Sequence, residues 1–221
     1  MNSPNKPAWF VTGTDTDVGK TFVCCALLHV LRSQGVKAVG MKPVAAGTDA
    51  AGQNDDVEKL RAASALPAPR ELINPYLFAP AIAPHIAAAQ AGVDIDLGRI
   101  VNAFRALSEI ADAVLVEGVG GFCVPLGAQV DSADLATRLD LPVILVVGMR
   151  LGCISHALLT QQAIAARGLT LCGWVANRID PDMPCFTENL AALQGRIAAP
   201  LLGLIPANST PERAAMRLSF P

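Results

Sequence analysis

The stretch Val11-Thr12-Gly13-Thr14-Asp15-Thr16-Asp17-Val18-Gly19-Lys20-Thr21 (VTGTDTDVGKT) ends as a phosphate-binding loop ends but begins differently. The usual spacing, G-x-x-x-x-G-K-[ST], calls for a glycine at position 14, whereas here the residue is Thr14 and the glycine stands one place earlier at Gly13. Such a loop needs small residues so that backbone N–H groups converge on oxygens, a lysine for the β- and γ-phosphates, and a hydroxyl for Mg²⁺. Gly13, Gly19, Lys20 and Thr21 supply these, with one extra residue between the glycines. The context carries the reading: a β-type run, FVTG, precedes the loop and an amphipathic stretch, TFVCCALLHVLRS, follows it. A chance GKT at a turn would not bring both.

Outward from the loop, short apolar runs alternate with helical stretches, the signature of βαβ units. Strands are expected at Trp9–Thr12, Ala38–Met41, Ala113–Glu117, Val143–Val147, Cys172–Ala176 and Leu201–Ile205. Helices are expected at Lys20–Ser33, Asp55–Ser64, Ile95–Ile110, Ser132–Leu139, Ile154–Arg167 and Phe186–Ile197, with Gly35 and Gly168 at helix C-termini. Pro67 to Ala91, rich in Pro and Ala and without a strong period, reads as an irregular excursion over the rim of the sheet. No repeat or low-complexity linker divides the chain, so the expectation is one α/β domain over residues 1–221, doubly wound around a mostly parallel sheet.

Composition agrees. Of 221 residues, 52% are hydrophobic and 16% charged, enough apolar material for a sheet buried on both faces. A net charge of -2 without a Lys/Arg cluster gives no reason to expect nucleic acid or an anionic membrane as partner. The start, MNSPNKPAWF, lacks the apolar core of a signal peptide, and the apolar run from Pro142 to Met149 is far short of the ~20 residues that span a bilayer. The expectation is a cytoplasmic protein. Six cysteines without a C-x-x-C form neither a disulfide framework nor a zinc pattern; most read as buried small hydrophobes, and only Cys123 is a candidate for reactivity.

In a Mg·ATP site a carboxylate at the end of a neighbouring strand holds the metal. Glu117, closing AVLVEGVGG, is placed for that work, since the glycines after it let backbone approach a ligand. Asn54-Asp55-Asp56 at the start of a helix reads equally as an N-cap with dipole-complementing acids or as a second acidic site. Lys42, directly after a strand in GMKPVAAG, would face the same crevice, because ligands in such sheets bind beyond the strands' C-terminal ends.

In order along the chain, GTDTDVGKT, GMKPVAAG, NPYLFAPAIAPH, LVEGVGG, PVILVVGMRLGCISH and GWVANRID resemble the dethiobiotin synthetases, from about Phe10 to Glu212. The resemblance implies a homodimer that converts 7,8-diaminononanoate, CO₂ and Mg·ATP into dethiobiotin, ADP and phosphate. It implies that Asp17, Val18, Gly19, Lys20, Thr21 and Phe22 line the triphosphate and that Thr21, Asp56 and Glu117 surround Mg²⁺. Lys42 matches the family's active-site lysine, with Lys20 the second catalytic lysine, and Glu117, Gly118, Val119 and Gly120 border both ATP and the diamine. Asn177 and Arg178 lie at the adenine, and Pro206, Ala207, Asn208 and Glu212 close that end of the cleft. Thr16, Lys42 and Ala46 fall to the substrate, while Gly152, Cys153, Ile154 and Ser155 begin a helix that holds the substrate carboxylate from the partner subunit. Two positions depart from the family pattern: Ala46 stands where serine is usual, so Thr48 or a water takes that contact or it is lost, and Ser155 stands where asparagine is usual.

The chemistry asks little covalent help of a protein. An alkyl amine, with a pKa of about 10.4 in solution, must lose its proton to attack CO₂, and nearby cations disfavour the ammonium form. Phosphoryl transfer then depends on positioning and charge stabilisation, so no Ser-His-Asp set is needed, and His85 and His156 read as structural. The rival readings are a ParA/MinD-like ATPase switch, which carries an additional lysine early in its loop where this chain has none, and a cobyrinate-type amidating synthetase, whose glutaminase domain would need more chain than extends to Pro221.

Overall fold

The computed structural model describes residues 6–220, so the reading of the first five residues lies outside the described part. β1 (Ala8–Gly13) leads through the loop into α1 (Lys20–Ser33). There follow β2 (Ala38–Met41), β3 (Val44–Ala46), α2 (Asp55–Ala63), α3 (Arg70–Ile73), β4 (Tyr76–Phe78), α4 (Pro84–Gln90), α5 (Leu97–Ile110) and β5 (Ala113–Glu117). α6 (Ser132–Leu139), β6 (Val143–Gly148), α7 (Cys153–Ala166), β7 (Leu171–Asn177), α8 (Phe186–Gln194), β8 (Leu201–Ile205) and α9 (Pro211–Ala215) complete the order.

Six strands form one parallel sheet in the order β2-β5-β1-β6-β7-β8. The chain winds to one side of β1 through β2 and β5 and to the other through β6, β7 and β8, so the strand order reverses at β1 and opens a crevice at its C-terminal end. Because side chains alternate across a strand, each contributes to cores on both faces. Val11, Leu115, Ile144, Val146 and Val175 pack in one core with Leu27 and Leu28 of α1 and Ala214 of α9. On the other face Phe10, Val114 and Val116 join Ile100 and Leu107 of α5, while Leu145, Val147 and Trp174 join Ala157 of α7 and Leu193 of α8. No helix among the described residues is long and apolar enough to cross a membrane.

All six expected strands and six expected helices are present, with ends shifted by up to three residues. The fifth helix starts at Leu97 and not Ile95 because the Asp96 carboxylate caps it, accepting from Gly98 N at 2.7 Å. The expectation of an irregular Pro67–Ala91 segment is corrected: it holds α3, β4 and α4, and β4 pairs in parallel with β3 as a separate two-stranded sheet. Tyr76 and Phe78, both 5% exposed, turn inward and drive that pairing, but three-residue strands are too short to show a period. The tail beyond β8 forms α9, capped by Thr210 and started by Pro211.

Two features of the sheet's rims follow from these connections. Along β2, Ser64 Oγ accepts from Gly40 N at 3.0 Å, Ala65 N donates to Ala38 O at 2.9 Å, and Lys42 N donates to Ile73 O at 2.8 Å. Along β8, Ser219 N donates to Leu202 O at 2.9 Å, and the Phe220 ring meets Trp9 edge-on with centroids 4.5 Å apart.

Candidate active site

The loop after β1 explains its unusual spacing. Thr14 N donates to Val146 O at 3.0 Å, and Thr14 Oγ1 accepts from Gly148 N at 3.4 Å, so the residue that replaces the usual glycine fastens the loop to β6. Gly13, still in the strand, must be small because a Cβ there would come within 2.6 Å of Val18 Cγ2. Asp17 and Gly19 are left-handed, at φ 57° and 86°. Lys20 Nζ donates to Asp15 O at 2.9 Å, and Asp15 Oδ2 lies 2.6 Å from Arg150 Nη2. Burial, with the nearby Lys42 charge, lowers the Lys20 pKa.

Strand register brings the other charges together. Met41 of β2 lies opposite Val116 of β5, so Lys42 and Glu117 leave the sheet side by side. The Lys42 ammonium contacts Glu117 Oε1 and stands 3.1 Å from Asp56 Oδ2; the Thr21 hydroxyl donates to the same Glu117 Oε1 at 2.7 Å. Side-chain exposure is 5% for Lys42, 0% for Glu117 and 42% for Asp56, so the cluster is sealed on the sheet side and opens toward Asp56. Burial pushes the Lys42 pKa down, but the Glu117 and Asp56 carboxylates outweigh it and the net direction is up. Burial likewise acts to raise the Asp56 pKa, and Lys42 outweighs it to hold the carboxyl below its ordinary value.

The structure divides the Asn54-Asp55-Asp56 cluster between a helix cap and a side chain that faces Lys42. Asn54 caps α2, accepting from Val57 N at 3.2 Å, and its amide donates to Gly47 O at 2.7 Å; Asp55 turns outward to Lys59, and Asp56 turns into the site.

The cluster floors a cleft of about 860 Å³. Thr16, Asp17, Gly19, Lys20, Thr21 and Phe22 line it from the loop, Lys42 and Ala46 from the β2–β3 segment, and Asp56, Glu117, Val119 and Gly120 from the far wall. A second recess of about 330 Å³ adjoins it through Gly19 and Phe22 and is walled by Asn177, Arg178, Pro206, Ala207 and Asn208. Asn177 Nδ2 donates to Val18 O at 2.9 Å, and the Arg178 guanidinium sits over the Phe186 ring, 4.7 Å from its centroid.

Some expected residues lie elsewhere. Val18 and Gly118 are buried behind the walls, with Gly118 N donating to Val11 O at 2.9 Å. Glu212, on α9, lines neither recess and stands 3.5 Å from His29 Nε2. Gly152, Cys153, Ile154 and Ser155, at the start of α7, also line neither, and Ser155 is exposed. Thr48 lines a shallower recess beside Asp49 and Asn54 and does not line the main cleft where Ala46 sits. His85 and His156 are outside the cleft. Cys123 is exposed, but partial burial and the Asp131 charge raise its pKa, so the thiol is not activated; Cys25 is pushed up to about 12 by burial. Ala81, Ile82, Ala83 and Pro84 form a cleft wall that no individual assignment anticipated, although they lie in the quoted NPYLFAPAIAPH. The Asp15–Arg150 pair was also missed, since residues 135 apart that meet only through β1–β6 pairing leave no periodic signal.

A glycine-bearing loop between a central parallel strand and a helix, with lysine, threonine and an acidic strand end converging on it, defines a P-loop nucleotide-binding protein. Solved structures agree at the level of fold: the signal recognition particle receptor FtsY from Elizabethkingia anophelis matches with TM-score 0.56 and 18% identity over 99% of this chain and 63% of its own length, so the chain spans less than two thirds of that receptor. The cell division ATPase MinD from Pyrococcus furiosus matches with TM-score 0.56 and 18% identity over 92% and 84% of the two chains. The AAA_26 family, an AAA domain, matches residues 8–215. Among curated proteins, the ATP-dependent dethiobiotin synthetase BioD of Aromatoleum aromaticum is 60% identical over 97% of both chains, and that of Janthinobacterium sp. (strain Marseille) is 54% identical over 96% of this chain and 93% of its own. The chain belongs to the ATP-dependent dethiobiotin synthetase family.

Proposed function

We propose that the chain, acting as one cytoplasmic domain, closes the ureido ring of dethiobiotin from 7,8-diaminononanoate, CO₂ and ATP. The observation that carries the reading is the convergence of Lys42, Glu117, Asp56 and Thr21 in one buried cluster that opens on the loop-lined cleft. A partner-switching ATPase has no evident use for a strand-end lysine among metal-type acids, and the additional early lysine of that class is missing between Gly13 and Gly19.

The phosphates lie on the backbone N–H groups of the loop and on α1, where the helix dipole favours negative charge. Lys20 leaves Asp15 O to meet the β- and γ-phosphates. Asn177 spends its amide N–H on Val18 O and keeps its Oδ1 for an adenine amino group, with Pro206, Ala207 and Asn208 as the walls. Mg²⁺ fits the donor set: Glu117, Asp56 and Thr21 offer hard oxygens, and Glu117 Oε2 is buried with no hydrogen-bond partner among the described residues. No three His, Cys, Asp or Glu residues gather into a metal site among the described residues, in keeping with a cation completed by nucleotide oxygens. When bound, Mg²⁺ offsets phosphate charge.

The diamine lies along the cleft wall formed by Ala46 and Ala81–Pro84, whose apolar surface suits its methylene chain. Lys42 and Lys20 disfavour its ammonium form, and the free amine attacks CO₂ to give a carbamate. The carbamate oxygen attacks the γ-phosphate, releasing ADP and forming a carbamic-phosphoric anhydride; the second amine then attacks the carbonyl carbon and expels phosphate. Lys42 and Lys20 stabilise the charge that builds between carbamate and phosphate. Because Gly152–Ser155 line neither recess of their own chain, a homodimer in which the partner's Gly152–Ser155 segment binds the substrate carboxylate is the arrangement we favour. Leu151 and Leu159, 88% and 61% exposed, supply apolar surface for the pairing.

The test supplies labelled bicarbonate, the diamine and Mg·ATP and follows label into dethiobiotin. ATP hydrolysis without label in product would replace this reading with the switch.

A further inference from the structure

We infer that the Lys42 ammonium holds the place of the metal, and that Mg²⁺ enters the site by exchanging with it, which frees the lysine to reach the reacting phosphate. This rests on the function proposed above and concerns how its two cations share one acidic pair. Three observations carry it. Lys42 is seated between Glu117 Oε1 and Asp56 Oδ2, on the two carboxylates that the donor set offers to the metal. Glu117 is 0% exposed, and a carboxylate so buried requires a counter-charge. Among the described residues the other nearby lysines are committed elsewhere, Lys20 to Asp15 O and Lys59 to Asp55, so Lys42 alone supplies that charge.

The two cations cannot share the pair. An ammonium and a divalent ion within about 4 Å repel strongly at the low effective dielectric of a buried site. Thr21 already donates to the Glu117 oxygen that Lys42 contacts, so a cation bound at either oxygen of that carboxylate would stand close against the ammonium. Exchange resolves the conflict: a divalent ion replaces one charge with two, and the released ammonium turns on its flexible stem toward the cleft that Lys42 already lines. Metal loading and placement of the catalytic lysine thereby become one event. Without metal, the lysine stays on its carboxylates and the site does not fire.

The test uses nucleotide-free full-length protein with Mn²⁺ as the probe, its free concentration read by electron paramagnetic resonance. Lys42→Met should bind Mn²⁺ at least about tenfold more tightly than the parent, because the competing charge is gone. Lys42→Arg, which keeps the charge, should show no gain, and adding Glu117→Gln to Lys42→Met should abolish it. Equal or weaker Mn²⁺ binding by Lys42→Met, an equal gain in Lys42→Arg, or a gain that survives Glu117→Gln would each overturn the exchange. A second measurement needs no variant: saturating Mg²⁺ alone should increase acylation of Lys42 by an amine-reactive ester severalfold, read by peptide mass mapping, and unchanged labelling would refute the exchange. Label incorporation into dethiobiotin by the parent protein is independent of all these outcomes, so failure of the exchange leaves the proposed reaction standing.

Discussion

Gly19 and Asn177 hold the phosphate loop against the end of β7: Asn177 Nδ2 donates to Val18 O at 2.9 Å, and a Cβ on Gly19 would lie 2.3 Å from that same nitrogen. The loop residue is also left-handed, at φ 86°. Gly19→Ala therefore costs about 1–2 kcal/mol for the backbone alone and pushes Asn177 off its carbonyl. We expect a melting midpoint lower by about 2–8 °C and weakened binding of a non-hydrolysable ATP analogue. Differential scanning calorimetry with analogue titration checks both, and parental behaviour in each would show the contact to be dispensable.

Glu117→Gln and Asp56→Asn remove hard anionic oxygens with little change of volume, so packing should persist. Each should raise the Mg²⁺ concentration for half-maximal turnover by about tenfold or more. Circular dichroism verifies the fold, and turnover at limiting Mg²⁺ unaffected in both variants would remove these residues from the metal site.

The two lysines should separate kinetically. If Lys20 meets phosphate in ground and transition states alike, as proposed, Lys20→Gln should lower both nucleotide affinity and rate. If Lys42 acts mainly on charge that develops in the reaction, Lys42→Gln should lose about 10²–10³ in kcat with ATP-analogue binding little changed. Calorimetry beside steady-state turnover distinguishes them; a Lys42 variant that loses only nucleotide affinity would place that lysine in the phosphate cradle.

Ser155→Glu introduces an anion at the start of α7, where the partner's substrate carboxylate would bind. Diamine KM should rise by about tenfold or more while ATP affinity holds, since Ser155 lies outside both recesses of its own chain. Mixing this variant with Lys42→Gln should restore some activity if sites are shared between subunits. Unchanged diamine KM, or no complementation in mixed dimers, would count against the shared site.

The principal strands were legible because a parallel sheet buried on both faces requires unbroken apolar runs, and PVILVVG or AVLVE can hardly be anything else. β3 and β4 were not, since VAA and YLF are held by tertiary burial of Tyr76 and Phe78 and not by local pattern. At the site, Lys42 and Glu117 could each be recognised as strand-end residues, but their contact depends on β2 and β5 pairing with Met41 opposite Val116, and register is a property of the folded sheet. Asn54 and Asp56 illustrate the same limit. Spacing alone could not assign cap and site between them, and the helix start decides it by turning one side chain to the backbone and the other to the lysine.

The rims of the sheet have a further meaning. An outermost strand with free N–H and C=O groups is a template on which another chain can extend the sheet, the first step of aggregation. Here neither outer strand is left bare. On β2, the Ser64 hydroxyl, Ala65 N and Ile73 O engage Gly40 N, Ala38 O and Lys42 N, and on β8 the returning tail engages Leu202 O through Ser219. The turn after α2 and the residues beyond α9 are thus what keep a strongly apolar parallel sheet from recruiting strands of its neighbours.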